Sequence, residues 1–260
     1  MGDRSQIEWT DATWNPTTGC TPVSPGCDHC YAKTLAVGRL SDVYRRRLPV
    51  VQTLENEADP FAVRLWPERL GQPASWRDPR MVFVNSMSDL FHVDVPGEFV
   101  RRIFEVMMKV DRHTYQVLTK RPARMANWVR ANGDLFPGGV VPSHIWLGTS
   151  VEDQAVAYRV EHLRSVLAEV RFLSCEPLIG ALTLDLRGVH WLIAGGESGI
   201  GYRAMDPEWP RRLRDDCVEA GVAFFFKQWG GRTPKSNGRS LDGETWDQMP
   251  GASFALTLAL

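Results

Sequence analysis

The chain has 260 residues, 43% of them hydrophobic, with a formal net charge of −1. That length supports one large domain or two small ones with a proper core. The near-zero charge excludes a global basic field for nucleic acid and an acidic disordered tail, and no run of about 18 apolar residues offers a membrane span.

Short apolar runs alternate with amphipathic stretches, the pattern of an α/β chain with a parallel sheet. Ala12 to Asn15 is a weak first strand. Met81–Val84, Tyr115–Leu118, Ile145–Gly148, Val170–Leu173, Trp191–Ala194 and Val222–Phe226 follow, and runs this apolar suit strands buried on both faces. Residues 38–79, with Arg45-Arg46-Arg47, read as one or two helices and a long connection. Phe99, Ile103, Phe104, Met107 and Val110 fall at helical spacing after Pro96-Gly97. Val156, Val160, Leu163, Leu167 and Val170 repeat that spacing, with Thr149 or Ser150 as N-cap. Trp209, Leu213 and Cys217 step by four, and Gly221 closes that helix. Six or seven such units predict a partial or closed (β/α) barrel over 1–229, with 230–260 an irregular tail packed on it.

In such barrels, chemistry collects at the C-terminal strand ends. Here those ends read Asn85-Ser86-Met87-Ser88-Asp89, Thr119-Lys120-Arg121, Thr149-Ser150-Val151-Glu152, Ser174-Cys175-Glu176, Gly195-Gly196-Glu197-Ser198 and Lys227-Gln228-Trp229. Polar residues often end strands, but repeated carboxylates beside Lys and Arg are harder to explain that way. Glu176 is expected to be functional, because a carboxylate at a buried strand end needs a partner. Lys120, Arg121 and Lys227 point to an anionic substrate, such as a nucleotide, nucleic acid or carboxylate, or else to ion pairs with Glu176, Glu197 or Asp89. Ser150 and Glu152 are candidates for ribose hydroxyls or for a helix cap. Cys175 is a hydrogen-atom donor to a substrate radical or buried filler, Cys217 is core, and His92 with Asp94 is a weak metal pair.

Cys20, Cys27 and Cys30 lie on the loop after the first strand. Three thiolates are too many for one disulfide and one short of a closed four-cysteine site. In one reading they hold three irons of a [4Fe–4S] cluster, leaving the fourth iron for the amino and carboxylate groups of S-adenosylmethionine. Reductive cleavage then releases a 5′-deoxyadenosyl radical. In the other, zinc takes the three cysteines and a histidine, in a structural site on a non-catalytic nucleic-acid-binding module. A third possibility is a metal-independent hydrolase working through Glu176, Glu197 and Asp89.

The segments Ile7-Glu8-Trp9-Thr10-Asp11-Ala12-Thr13-Trp14-Asn15-Pro16, Gly19-Cys20 and Gly26-Cys27-Asp28-His29-Cys30-Tyr31 resemble the phage-associated three-cysteine-motif family, a domain family of unknown function. Ala194-Gly195-Gly196-Glu197-Ser198-Gly199 and Phe225-Phe226-Lys227-Gln228-Trp229-Gly230-Gly231 extend the likeness almost end to end. That family is similar in turn to radical SAM enzymes, distantly to spore photoproduct lyase. The resemblance implies a partial barrel, a [4Fe–4S] cluster and S-adenosylmethionine. The spacing here is C-x6-C-x2-C rather than C-x3-C-x2-C, and His29 stands where an aromatic is usual, placed to pack on adenine. Radical SAM enzymes grip the methionine ammonium with Gly-Gly-Glu after the second strand. Here Asn85, Ser86, Ser88 and Asp89 stand there instead, and Gly195-Gly196-Glu197 comes after the sixth. Thr119, Lys120, Ser150 and Glu152 complete the expected cofactor set, and Glu176, Lys227 and Cys175 the expected catalytic set. A flavodoxin- or ferredoxin-like electron donor, a monomeric state and a cytoplasmic location are further expectations. The phage association suggests a nucleobase substrate, flipped into the barrel mouth with help from Trp229, Arg203 or Arg232.

Overall fold

Each apolar run forms a strand in the computed structural model, which describes residues 5–251. β1 (Ala12–Trp14) leads to β2 (Thr17–Thr18), α1 (Tyr31–Val37), α2 (Ser41–Arg45), α3 (Leu54–Ala58), β3 (Arg64–Leu65) and α4 (Gln72–Ser75). Then come β4 (Met81–Val84), α5 (Gly97–Lys109), β5 (Thr114–Thr119), α6 (Pro122–Ala131), β6 (Ile145–Ser150) and α7 (Arg159–Arg164). β7 (Arg171–Cys175), β8 (Trp191–Gly195), α8 (Glu208–Ala220) and β9 (Ala223–Gln228) complete the set. Seven strands make one parallel sheet in the order β1-β4-β5-β6-β7-β8-β9, the sheet of a half-barrel. Spatial order follows chain order, as repeated strand–crossover–strand units produce. β2 and β3 pair antiparallel outside it.

Side-chain alternation sorts each strand between two faces. The outer face carries Val82, Val84, Tyr115, Val117, Leu147, Leu173, Leu192 and Phe224, joined in one core to Phe99, Ile103, Met107, Met125, Leu163 and Leu213 of the helices. The inner face carries Phe83, Trp146, Phe172, Trp191, Ile193 and Phe225, packed with Trp9 from the N-terminal segment. Trp191 is fully buried, its ring 5.6 Å from those of Trp146 and Phe172. The base of the half-barrel is therefore filled with aromatic rings. Only the residues beyond them on the same rows face the mouth.

One expected helix differs from its reading. The helix expected from Val156 is only Arg159–Arg164, preceded by a 3₁₀ turn at Gln154–Val156. Thr149 and Ser150 do not cap it. They extend β6, paired with Leu173 and Ser174, and Asp153 caps the 3₁₀ turn by accepting from the Ala155 N–H. α6 has no counterpart in the sequence reading, because its apolar stripe is short. α8 ends as expected, with Gly221 at φ +65° donating its N–H to the Cys217 and Val218 carbonyls.

The described part of the tail runs along β9. Phe226 N–H donates to the Trp246 carbonyl (2.9 Å), Phe224 N–H to Gln248 Oε1 (2.9 Å) and Trp191 Nε1–H to the Gln248 carbonyl (2.9 Å). These bonds cover an edge that would otherwise expose free backbone groups. Residues 1–4 and 252–260 of the expected barrel and tail lie outside the described residues. Among the described residues no helix is long and apolar enough to cross a membrane.

Candidate functional site

The cysteine loop leaves β2 and crosses the strand ends. Cys20 N–H donates to the Phe61 carbonyl (3.1 Å), and the Cys30 carbonyl accepts from Thr34 N–H (3.0 Å) at the start of α1. Cys20 and Cys30 pack against a small core of Ala32, Ala36, Tyr44, Phe61, Trp66 and Met87. All three thiols are free and partly buried. Burial, then Asp89, pushes the Cys20 thiol up to about 11, with Arg121 pulling the other way.

Three carboxylates from three strand ends hold this loop down. Asp89, after β4, accepts from Thr119 Oγ1 (2.6 Å), Lys120 N–H (3.0 Å), Phe91 N–H (2.9 Å) and Arg121 Nη1 (2.9 Å). Arg121 in turn donates to Cys20 Sγ (3.5 Å) and to the Thr21 carbonyl (3.0 Å). Glu152, after β6, is fully buried between Lys120, Arg159 Nη1 (2.8 Å) and Ser24 Oγ (2.7 Å). Burial opposes its charge, but Lys120, Arg159 and Ser24 outweigh that and hold its pKa below the usual range. Gly26 passes so close that a Cβ there would lie 2.3 Å from Glu152 Cγ, so the loop needs a glycine at this point. Glu197, after β8, accepts from His29 Nδ1 (2.9 Å), Arg203 N–H (2.8 Å), Arg203 Nε (3.0 Å) and Arg203 Nη2 (2.6 Å). Arg203 also reaches the Pro25 carbonyl (2.8 Å) and Asp28 (3.3 Å). The loop is thus anchored at its beginning, middle and end.

This geometry gives most of the expected site residues partners within the chain. Asp89 accepts from Thr119, Lys120, Phe91 and Arg121, Glu152 from Lys120, Arg159 and Ser24, and Glu197 from His29 and Arg203. Thr119 and Lys120 are their donors. Ser86 Oγ is bonded to Asn15 (3.1 and 3.2 Å), and Ser88 Oγ lies 2.6 Å from Thr17 Oγ1. His29 is turned to Glu197. His92 and Asp94 are no metal pair: Asp94 N–H donates to His92 Nδ1 (3.1 Å), which places the His92 proton on Nε2, 2.7 Å from Thr21 Oγ1. Cys175 belongs to the core between sheet and helices, on the face opposite Ser174, and is packing. Burial, foremost, raises its pKa well above that of an ordinary thiol. Each cation expected to attract an anion is paired: Lys120 with Glu152, Arg121 with Asp89, Lys227 with Glu176. Gly196 is a backbone crossing, where a Cβ would strike the Trp229 carbonyl oxygen.

What faces the mouth is a shorter set. Glu176 Oε1 lies 3.1 Å from Lys227 Nζ, both partly exposed. Gly195 sits beneath them, and a Cβ there would come within 2.8 Å of Glu176 Oε1. Ser150 and Ser174 are on the same inner rows. Asn85, directly after β4, adopts a left-handed backbone at φ +64° and is 2% exposed. Neither its Oδ1 nor its Nδ2 has a hydrogen-bond partner among the described residues. Buried amides are nearly always paired, with protein or with ordered water. Among the described residues, no three His, Cys, Asp or Glu side chains gather around one point.

The sequence reading missed Arg159 and Ser24 and gave Arg203 a different role. Asn15 was read only as the end of the first strand and as part of a resemblance. Their partners are far along the chain, and nothing local marks them. Glu197 supplies a pH test. Burial opposes its charge, but bonds from Arg203 and His29 lower its pKa from the ordinary 4.5 to about 2. A lowered carboxylate pKa stabilises the fold above the ordinary value, and that stability is lost as pH falls toward the folded value. The amide resonance of Arg203 is therefore expected to shift with a midpoint near pH 2 rather than 4.5, and Glu197→Gln to abolish that transition.

The family described as a protein of unknown function, DUF5131, matches residues 4–250. No curated protein and no solved structure matches the chain.

Proposed function

The chain belongs to the DUF5131 family, and we propose that it is a radical SAM enzyme, with a [4Fe–4S] cluster on Cys20, Cys27 and Cys30 and S-adenosylmethionine at Asn85. The observation carrying this reading is the unpartnered, buried Asn85 amide at the strand-end rim that the anchored three-cysteine loop crosses. The donor set fits the group. A single zinc ion would draw its sulfurs to about 2.3 Å from one centre, whereas thiolates on a cluster each take a separate iron and need not converge. Three free thiols on one loop match three irons and leave the fourth open to a ligand.

When bound, such a cluster supplies one electron from an external flavodoxin- or ferredoxin-like donor to the sulfonium of S-adenosylmethionine. The chain's own part is to bind and to exclude. Its three anchors fix the loop at Thr21, Ser24 and His29. Asn85 offers a donor and an acceptor together, which match the carboxylate and the ammonium of an amino-acid moiety. The aromatic base, led by Trp191, keeps water from entering the barrel from below. Glu176 and Lys227 present a matched acceptor and donor to the substrate.

Anoxic reconstitution is expected to load about four iron and four sulfide per chain. Reductant and S-adenosylmethionine are then expected to give 5′-deoxyadenosine. Stoichiometric zinc with no iron uptake would reject the reading in favour of a structural site. In the loaded protein, Asn85→Ala is expected to leave iron content unchanged and to weaken S-adenosylmethionine binding roughly 10- to 100-fold. That range follows from about 1.5–3 kcal/mol for a hydrogen bond to a charged group.

A further inference from the structure

We propose that Arg121 is a positioning residue that sets the electrical poise of the Cys20 corner of the cluster site. The inference rests on the cluster reading above and goes beyond it to one residue. Arg121 Nη1 is shared between Asp89 Oδ2 (2.9 Å) and Cys20 Sγ (3.5 Å). Its Nη2 donates to both the carbonyl (3.0 Å) and the Oγ1 (3.2 Å) of Thr21. The side chain is only 14% exposed. A planar guanidinium held on both prongs cannot swing away, as a lysine could. Asp89 is fixed by Thr119, Lys120 and Phe91, and Thr21 by His92, so the fork is braced from both sides.

Among the described residues, neither the Cys27 nor the Cys30 sulfur receives a bond from a charged donor. The three corners are therefore electrically unequal. Hydrogen bonds to cluster sulfurs and nearby charge are the protein's main levers on reduction potential. A cation donating to Cys20 favours the form carrying one more electron, because charge-assisted bonds strengthen as the acceptor becomes more negative. Arg121 thus makes the cluster easier to reduce.

The test is a redox titration of the reconstituted protein, followed by the paramagnetic signal of the reduced cluster. Arg121→Gln is expected to keep its iron and sulfide and to lower the reduced-to-oxidised ratio at a fixed potential roughly three- to tenfold. Arg121→Lys keeps the charge without the fork and is expected to fall less. It carries the measurement if the glutamine variant takes up no iron, with a fall still expected. A residue that merely supported the fold would change iron content or melting but not the potential of the loaded fraction. Loaded variants that titrate with the wild-type protein overturn the inference alone. A wild-type chain that takes up no iron overturns the cluster reading and this inference with it.

Discussion

Glu152→Ala is expected to lower stability by about 3–5 kcal/mol, the range for removing one partner of a buried ion pair. For a chain of this size that is a fall of about 6–20 °C in Tm. The reason is what remains behind. Arg159 is 2% exposed and would keep a charge with no counter-ion, and Lys120 would lose its partner as well. Arg159 would retain only its bond to the Ser150 carbonyl. Ser24 would lose its acceptor, and the wall against which Gly26 packs would vanish. Two readouts should therefore move together. Thermal melting should fall, and alkylation of the loop cysteines should quicken in the unfolding-free temperature range. Glu152→Gln keeps the volume and one acceptor, and belongs between wild type and alanine. A Glu152→Ala protein that melts with wild type would mean that the buried pair contributes little.

Trp191→Ala is expected to cost about 3–5 kcal/mol by a different route, the cavity left when a large buried aromatic is cut back. Its ring meets Trp9, Trp146, Phe172 and Phe225. A void at that point touches the N-terminal segment and four strands at once, so repacking has to move several of them. The indole also donates to the Gln248 carbonyl. Loss of that bond should raise hydrogen exchange in 244–250 beyond the rise elsewhere. Trp191→Phe separates the two contributions. It fills most of the space yet lacks the donor, so the tail should loosen while most of the stability stays. Equal protection of the tail in both variants and wild type would show that its own backbone bonds to β9 suffice.

The strands were legible because each is a short apolar run bounded by polar residues, a signal that does not depend on distant partners. Their ends were less so: Thr149 and Ser150 look like caps, but lateral pairing with Leu173 and Ser174 keeps them extended. The inner and outer rows followed from alternation once the sheet was placed. The aromatic plug did not, since nothing in the sequence says which face of a doubly buried strand points inward. The cysteine loop was legible from spacing alone. The carboxylates were legible as a set, but their partners within the chain were not. Asp89, Glu152 and Glu197 stand where the barrel rule puts functional groups, yet Glu152 and Glu197 bond Ser24 and His29 directly, and Asp89 reaches Thr21 through Arg121. Ser24 is 128 positions from Glu152, and His29 is 168 positions from Glu197. Contacts of that separation leave no periodic trace. Asn85 was named among four neighbours, and only the fold shows that Ser86, Ser88 and Asp89 are satisfied while Asn85 is not.

Pairing Lys120, Arg121 and Lys227 each with a carboxylate has a kinetic consequence. The Lys120, Arg121 and Lys227 pairs cancel at short range, and little field extends past the roughly 8 Å over which charges are felt at physiological ionic strength. A newcomer is not drawn in from afar. It arrives by ordinary diffusion and is sorted only on contact, so added salt should leave its rate of capture almost unchanged.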